Sequence, residues 1–245
     1  MIAYHEVGSG PPLVLLHAFP FDRRMWQPAA AELGTRFRVI SPDLRGFGRS
    51  PLTAPYALTD LADDVAALLE TLGLERVALG GLSMGGYVAL AFAQRHPQRL
   101  AALLLADTKA GPDTAEAKAG REAALVTVRT QGVAAYLEQQ LPKLLGPNAS
   151  EAVRARAREL GQQTPEAVLA ALPALRDRPD RKSELEKVRC PTQVLVGELD
   201  ALTPPAEAEA MAAAIPGARL RRLPGLGHLS ALEDPRAFAD AVTWP

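Results

Sequence analysis

One cysteine, four histidines and few aromatic residues set the first bounds on this chain. The lone thiol, Cys190, cannot close an internal disulfide, so stability has to come from a packed core and the expected compartment is a reducing one. Cys190 stands just before an apolar segment and reads as a small buried side chain. Charge of one sign is lacking too. Twenty-seven Lys and Arg against 28 Asp and Glu leave a net charge of −1, which gives no reason to expect nucleic acid or an anionic membrane as a partner. No apolar run approaches the ~20 residues of a membrane span. The start, Met1-Ile2-Ala3-Tyr4-His5-Glu6, has neither a basic nor an apolar region, so no secretion signal is expected and a cytoplasmic location is.

What the chain does have is apolar residues in short blocks. Hydrophobic residues make up 48% of the 245, enough to bury one large core with room for an insertion. Strand-length blocks fall at Ile2 to Val7, Leu13 to His17, Phe37 to Ser41, Arg76 to Gly80, Leu100 to Ala106, Thr192 to Gly197 and Ala218 to Leu223. Helical patterns stand between them, as at Thr59 to Leu72, where Thr59-Asp60 marks a start and Gly73 an end. This alternation predicts an α/β fold, a mostly parallel twisted sheet with helices on both faces. From Lys109 to Lys187 the rhythm changes. Strand-like blocks vanish, and Ala, Glu, Arg and Leu recur at helical spacing with breaks at Gly132, Pro142, Gly146-Pro147 and Pro165. The reading is a core of residues 1–108 and 188–245 carrying a helical cap, 109–187, of three or four short helices. An insert leaving the end of a sheet strand lies where such sheets bind ligands.

Gly81-Leu82-Ser83-Met84-Gly85-Gly86 is the most specific segment. It is a Gly-x-Ser-x-Gly pentapeptide between an apolar strand and a helix, and that context predicts a tight corner lifting the serine hydroxyl off the sheet edge. Gly81 and Gly85 leave room where the backbone passes close to itself. The helix that follows turns its N-terminal amides towards the same point.

A serine hydroxyl needs a base. Of the four histidines, His5 lies in a strand, His17 ends one, and His96 sits near a helix C-terminus, where a cation is expected for other reasons. His228, in Pro224-Gly225-Leu226-Gly227-His228, follows the last strand on a flexible loop and is the expected base. The third member should be a buried carboxylate. Asp200, past the penultimate strand, completes the order Ser, acid, His, with Asp107 and Glu198 as rivals. Asp43 reads as structural, capping the loop Leu44 to Gly48. The oxyanion donors are expected to be the backbone N–H groups of Met84 and of Phe19, with His17 orienting the Phe19 loop.

With these residues in view, the chain resembles the α/β-hydrolase fold family along essentially its whole length. The motifs that carry the likeness are Leu15-Leu16-His17-Ala18-Phe19-Pro20, Pro42-Asp43-Leu44-Arg45-Gly46-Phe47-Gly48-Arg49-Ser50, the Ser83 segment, Gly197-Glu198-Leu199-Asp200 and Gly225-Leu226-Gly227-His228. The resemblance implies a serine hydrolase with no metal or organic cofactor and a helical cap over its site. Phe21-Asp22-Arg23-Arg24-Met25-Trp26 is similar to the branch of small carboxylesterases and 3-oxoadipate enol-lactone hydrolases. Two departures stand out. The family's His-Gly pair is His17-Ala18, which requires that this backbone not need positive φ, and an edge strand usual in the family is expected to be short or missing.

Phe19, Met84, Trp26 and the cap leucines predict a largely apolar substrate pocket; no cluster of cap arginines points to an anionic substrate, although Arg121 and Arg129 are able to reach inward. The expected partner is a small-molecule ester or lactone. Ester hydrolysis through an acyl-Ser83 intermediate leads the readings, followed by a lactonase or a cofactor-free perhydrolase on the same residues. A non-catalytic receptor is the reading from a different class. Dehalogenases and epoxide hydrolases of this fold use an aspartate nucleophile, and Ser83 argues against both.

Overall fold

The computed structural model describes residues 1–243. Seven strands, β1 (Tyr4–Val7), β2 (Pro12–Leu16), β3 (Arg38–Pro42), β4 (Val77–Leu82), β5 (Leu100–Ala106), β6 (Thr192–Gly197) and β7 (Arg219–Leu223), form one sheet. Their spatial order is β1-β3-β2-β4-β5-β6-β7. Every neighbouring pair is parallel except β1 with β3. The edge strand β1 is short, four residues.

The continuous apolar character of the central strands has a simple cause. In β2, Leu13 and Leu15 pack into one apolar cluster while Val14 and Leu16 pack into the other. A strand covered on both faces has no side to give to polar residues. On the first face lie helices α2 (Leu58–Thr71) and α3 (Met84–Arg95), through residues such as Leu61, Val65, Val88 and Phe92. On the second lie α1 (Gln27–Leu33) and, further along the chain, a helix over Pro235–Ala241, through Leu33 and Phe238.

Helix α2 starts at Leu58, one residue before the expected Thr59. The reason is the side chain of Asp60, which accepts the Ala57 N–H at 2.8 Å and so fixes the first turn at Ala57.

Between β5 and β6 the chain forms α4 (Ala115–Leu144), α5 (Glu151–Leu160) and α6 (Pro165–Arg176), then a 3₁₀ turn, Lys182–Lys187. Residues Ala115–Leu144, taken together as α4, are two helical halves that meet at a break at Gly132, one of the breaks the sequence suggested. Gly132, at φ 86° and ψ 171°, is non-helical and separates the two halves, and Pro142 falls in the last turn, two residues before the helix ends at Leu144. Thr114, Ser150 and Thr164 cap the three helices, each accepting a backbone N–H from three residues on. The remaining helices are α7 (Pro205–Ala214), α8 (Ser230–Glu233) and α9 (Pro235–Ala241). No helix among the described residues is long and apolar enough to cross a membrane.

Candidate active site

Ser83 stands between β4 and α3 with φ 55° and ψ −113°, a conformation that costs a non-glycine residue on the order of 1–3 kcal/mol. The surroundings hold it there. Its N–H donates to Ala106 O at 3.0 Å, and its carbonyl accepts from Thr108 Oγ1 at 2.8 Å. The two flanking glycines are dictated by contact rather than by φ. A Cβ on Gly81 would lie 2.1 Å from Gly85 O, and one on Gly85 would lie 2.1 Å from Leu16 O. Any side chain at either position would push the corner apart.

The serine opens into a cavity of about 560 Å³. Phe19, Met84, Tyr87 and His228 line it from the sheet domain, and Arg121, Ala124, Tyr136 and Leu144 line it from α4. Met84 is the first residue of α3, so its N–H has no carbonyl one turn back to bond and stays open to the cavity end of the helix. Phe19 is in the loop after β2. His17 anchors that loop: its Nδ1 lies 2.9 Å from Ala18 O, and its Nε2 accepts the Leu44 N–H at 2.9 Å. One ring nitrogen donates and the other accepts, so this imidazole is neutral, and burial holds its pKa below the usual value. Ala18 is not among the residues with positive φ, which is why alanine serves where the family carries glycine.

His228 and Asp200 meet at 2.8 Å, Nδ1 to Oδ2. A carboxylate only accepts, so the Nδ1 proton faces it and Nε2 is left as the basic nitrogen. Asp200 is fully engaged. Oδ1 accepts the N–H groups of Leu202 and Thr203 at 2.8 and 2.9 Å, and Oδ2 also accepts the Thr203 hydroxyl at 2.7 Å. Burial disfavours both ions, yet the two charges outweigh it: His228 lies above the ordinary histidine range and Asp200 below the ordinary carboxylate one.

The rival acids have other partners. Asp107, also buried and at φ 44°, accepts the Gly197 N–H at 2.7 Å and the Ser230 hydroxyl. Burial, and then the nearby Asp200 charge, push it up to about 7. Glu198 is exposed and accepts the Gly225 N–H at 3.1 Å, a loop tie. Asp43 is a loop cap, accepting from the backbone N–H groups of Arg23 and Arg49 and pairing with the Arg23 guanidinium. His96 pairs with Asp63 at 2.8 Å, and His5 is exposed on the edge strand.

Two expectations need correction. Trp26 does not line the cavity: it is fully buried in the second apolar cluster, its ring 5.6 Å from that of Phe238. The cause is the 3₁₀ turn Arg23–Trp26, which points the indole into the packing between α1 and α9 instead of towards Ser83. Arg129 is exposed on α4, whereas Arg121, two turns earlier, does reach the cavity. Sequence reasoning also missed Tyr87 and Lys109. Tyr87 stands one helical turn after Ser83, a spacing that puts it on the serine's side of α3. Lys109 follows the carboxyl end of β5, where open sheets hold ligand groups.

Comparison with known proteins identifies the family. A thermophilic esterase from Thermogutta terrifontis, solved with malate bound, is 42% identical, with a TM-score of 0.94 over 98% of this chain and 90% of that one. The enol-lactonase from Burkholderia xenovorans LB400 is 31% identical, with a TM-score of 0.90 over 98% of this chain and 94% of that one. Pimeloyl-[acyl-carrier protein] methyl ester esterase from Aeromonas hydrophila subsp. hydrophila is 31% identical over 98% of this chain and 97% of its own length. The sequence profile that matches residues 13–241 is that of the alpha/beta hydrolase family, and the chain belongs to that family.

Proposed function

We propose that the protein hydrolyses carboxylic esters of small to medium size through an acyl-Ser83 intermediate. The observation that carries this reading is that Ser83, strained at its corner, and His228, oriented by Asp200, face one cavity. His228 Nε2 takes the Ser83 proton as Oγ attacks the ester carbonyl carbon. The carbonyl oxygen becomes an oxyanion, held by the N–H groups of Phe19 and Met84, a contribution of roughly 10²–10³ in rate for each donor. The C–O bond then breaks and the alcohol leaves with the proton from Nε2. Water, deprotonated by the same nitrogen, attacks the acyl carbon, and the carboxylic acid departs as Ser83 regains its proton. Asp200 holds the imidazole in the productive tautomer and stabilises its cation. The helices between β5 and β6 act as the cap that roofs this chemistry, since α4 supplies one wall of the cavity.

Lactone hydrolysis is the second reading, favoured by the 31% identity to an enol-lactonase over nearly all of both chains. The steps are the same, except that the leaving oxygen, protonated by Nε2, stays joined to the acyl chain, so water frees a single hydroxy acid (or its keto form, from an enol lactone) from Ser83.

Hydrolysis of p-nitrophenyl esters from acetate to decanoate, with Ser83→Ala beside the wild type, tests the proposal. Turnover that peaks at short or medium chains and vanishes in the variant is the expected result. A fluorophosphonate probe should label Ser83, and a wild type that neither labels nor turns over any ester or lactone sinks the reading in favour of a binding protein.

A further inference from the structure

The bond from His228 to Asp200 fixes one nitrogen of the imidazole, but it does not fix the backbone that carries the ring. On either side of His228 a backbone N–H reaches out of the loop towards the inserted helices. The Leu229 N–H donates to the carbonyl of Leu144, the last residue of α4, at 3.0 Å. A helix end leaves such carbonyls without a partner inside the helix. The Gly227 N–H donates to Glu233 Oε1 and Oε2, each at 3.1 Å, and Oε2 also accepts the Gly146 N–H at 3.1 Å. One carboxylate therefore joins the residue before the histidine to the segment just past α4.

The two backbones also meet directly. A Cβ on Gly146 would lie 2.9 Å from Gly227 N, and one on Gly227 would lie 2.2 Å from Gly146 N. Neither glycine has positive φ, so contact is what requires glycine at both positions. Glu233 is half-buried at the end of α8. Burial pushes its carboxyl above the ordinary glutamate range, and the Gly227 and Gly146 amides offset part of that cost. In return, a charged acceptor makes bonds roughly twice as strong as a neutral one. Leu144 also lines the cavity, so the residue that accepts from Leu229 is one that a bound substrate meets.

Building on the serine-hydrolase reading, we infer that Glu233 is a positioning residue that ties the His228 loop to the end of α4, so that the place of the cap sets the place of the general base and with it kcat.

The test follows kcat and KM for p-nitrophenyl acetate, with active sites counted by fluorophosphonate titration. Glu233→Ala should lower kcat by about tenfold or more, as expected for a displaced base. KM should change by less than about threefold, because no substrate contact is lost. Glu233→Gln keeps an oxygen for the place of Oε2, which serves both amides, and should recover most of kcat. Gly146→Ala acts on the same contact from the cap side. It should lower kcat in the same way, and adding Glu233→Ala to it should cost little more. Unchanged kcat in Glu233→Ala, a glutamine variant as slow as the alanine one, or losses that add in the double variant overturn the inference. Where Glu233→Ala does not fold, kcat of Gly146→Ala decides: a fall at unchanged KM supports the tie, and wild-type kcat overturns it. If the wild type hydrolyses no ester, the failure belongs to the serine-hydrolase reading. Amide hydrogen exchange then decides the tie: about tenfold faster exchange at Gly227 and Leu229 in Gly146→Ala supports it, and unaltered exchange overturns it.

Discussion

Asp107, just past the end of β5, and Asp200, just past the end of β6, are the same residue type on neighbouring parallel strands, both buried. Their surroundings drive them apart. Asp200 faces an imidazole and three further donors, and stays ionised below the usual range. Asp107 faces a serine hydroxyl and one amide, next to the Asp200 charge, and is pushed up to about 7. Position at a strand end gives a carboxylate access to the site, but the donors around it decide whether it works as an anion. Asp107 ties the β5 end to the β6 end and to Ser230 at the start of α8.

The largest effect that can break this contrast comes from Asp200→Asn. The amide donates where the carboxylate accepted and favours the wrong imidazole tautomer, so kcat should fall by about 10⁴. Near-normal turnover in that variant, with collapse in Asp107→Asn, would exchange the two roles. Asp107→Ala should act on the fold, costing roughly 1–3 kcal/mol for each of the two donors left buried and unpaired, measured by urea denaturation. Asp107→Asn keeps an oxygen for the Gly197 N–H and a group for Ser230, and kcat/KM should change by less than about tenfold.

The acid limb of kcat/KM sharpens the contrast further. His228 acts only when neutral, and its pKa is raised by Asp200 and, less, by Asp107. The midpoint should therefore lie above the ordinary histidine value of about 6.5 and move lower in Asp107→Asn. A midpoint below 6.5, or a profile flat from pH 5 to 9, would remove His228 as the base. The smallest effect is expected from Thr203→Val, which takes one of four bonds from Asp200 and should lower kcat/KM several-fold, about 1 kcal/mol.

Much of this was legible in the residues. The five inner strands fell where apolar blocks stood, because a strand buried on both faces leaves a continuous signal, whereas the exposed edge strands β1 and β7 carry charged residues. Ser83 was legible because a strained corner demands glycines on either side of it. His17 was readable as an anchor from its place at a strand end. Trp26 was not readable: an aromatic residue near a motif looks the same whether its ring faces the cavity or Phe238. The break at Gly132 was legible because glycine tolerates the positive φ that interrupts the helix there.

By itself, the sequence determined the parallel sheet, the Ser83 corner and the order of serine, acid and histidine, since these rest on local constraints: burial on both strand faces, backbone crowding, and loops at strand ends. The tertiary structure alone decided which carboxylate meets His228 and where Trp26 and Arg129 point. Each of those is a competition among groups distant along the chain, and Coulomb and hydrogen-bond energies depend on separation in space, which residue spacing does not encode.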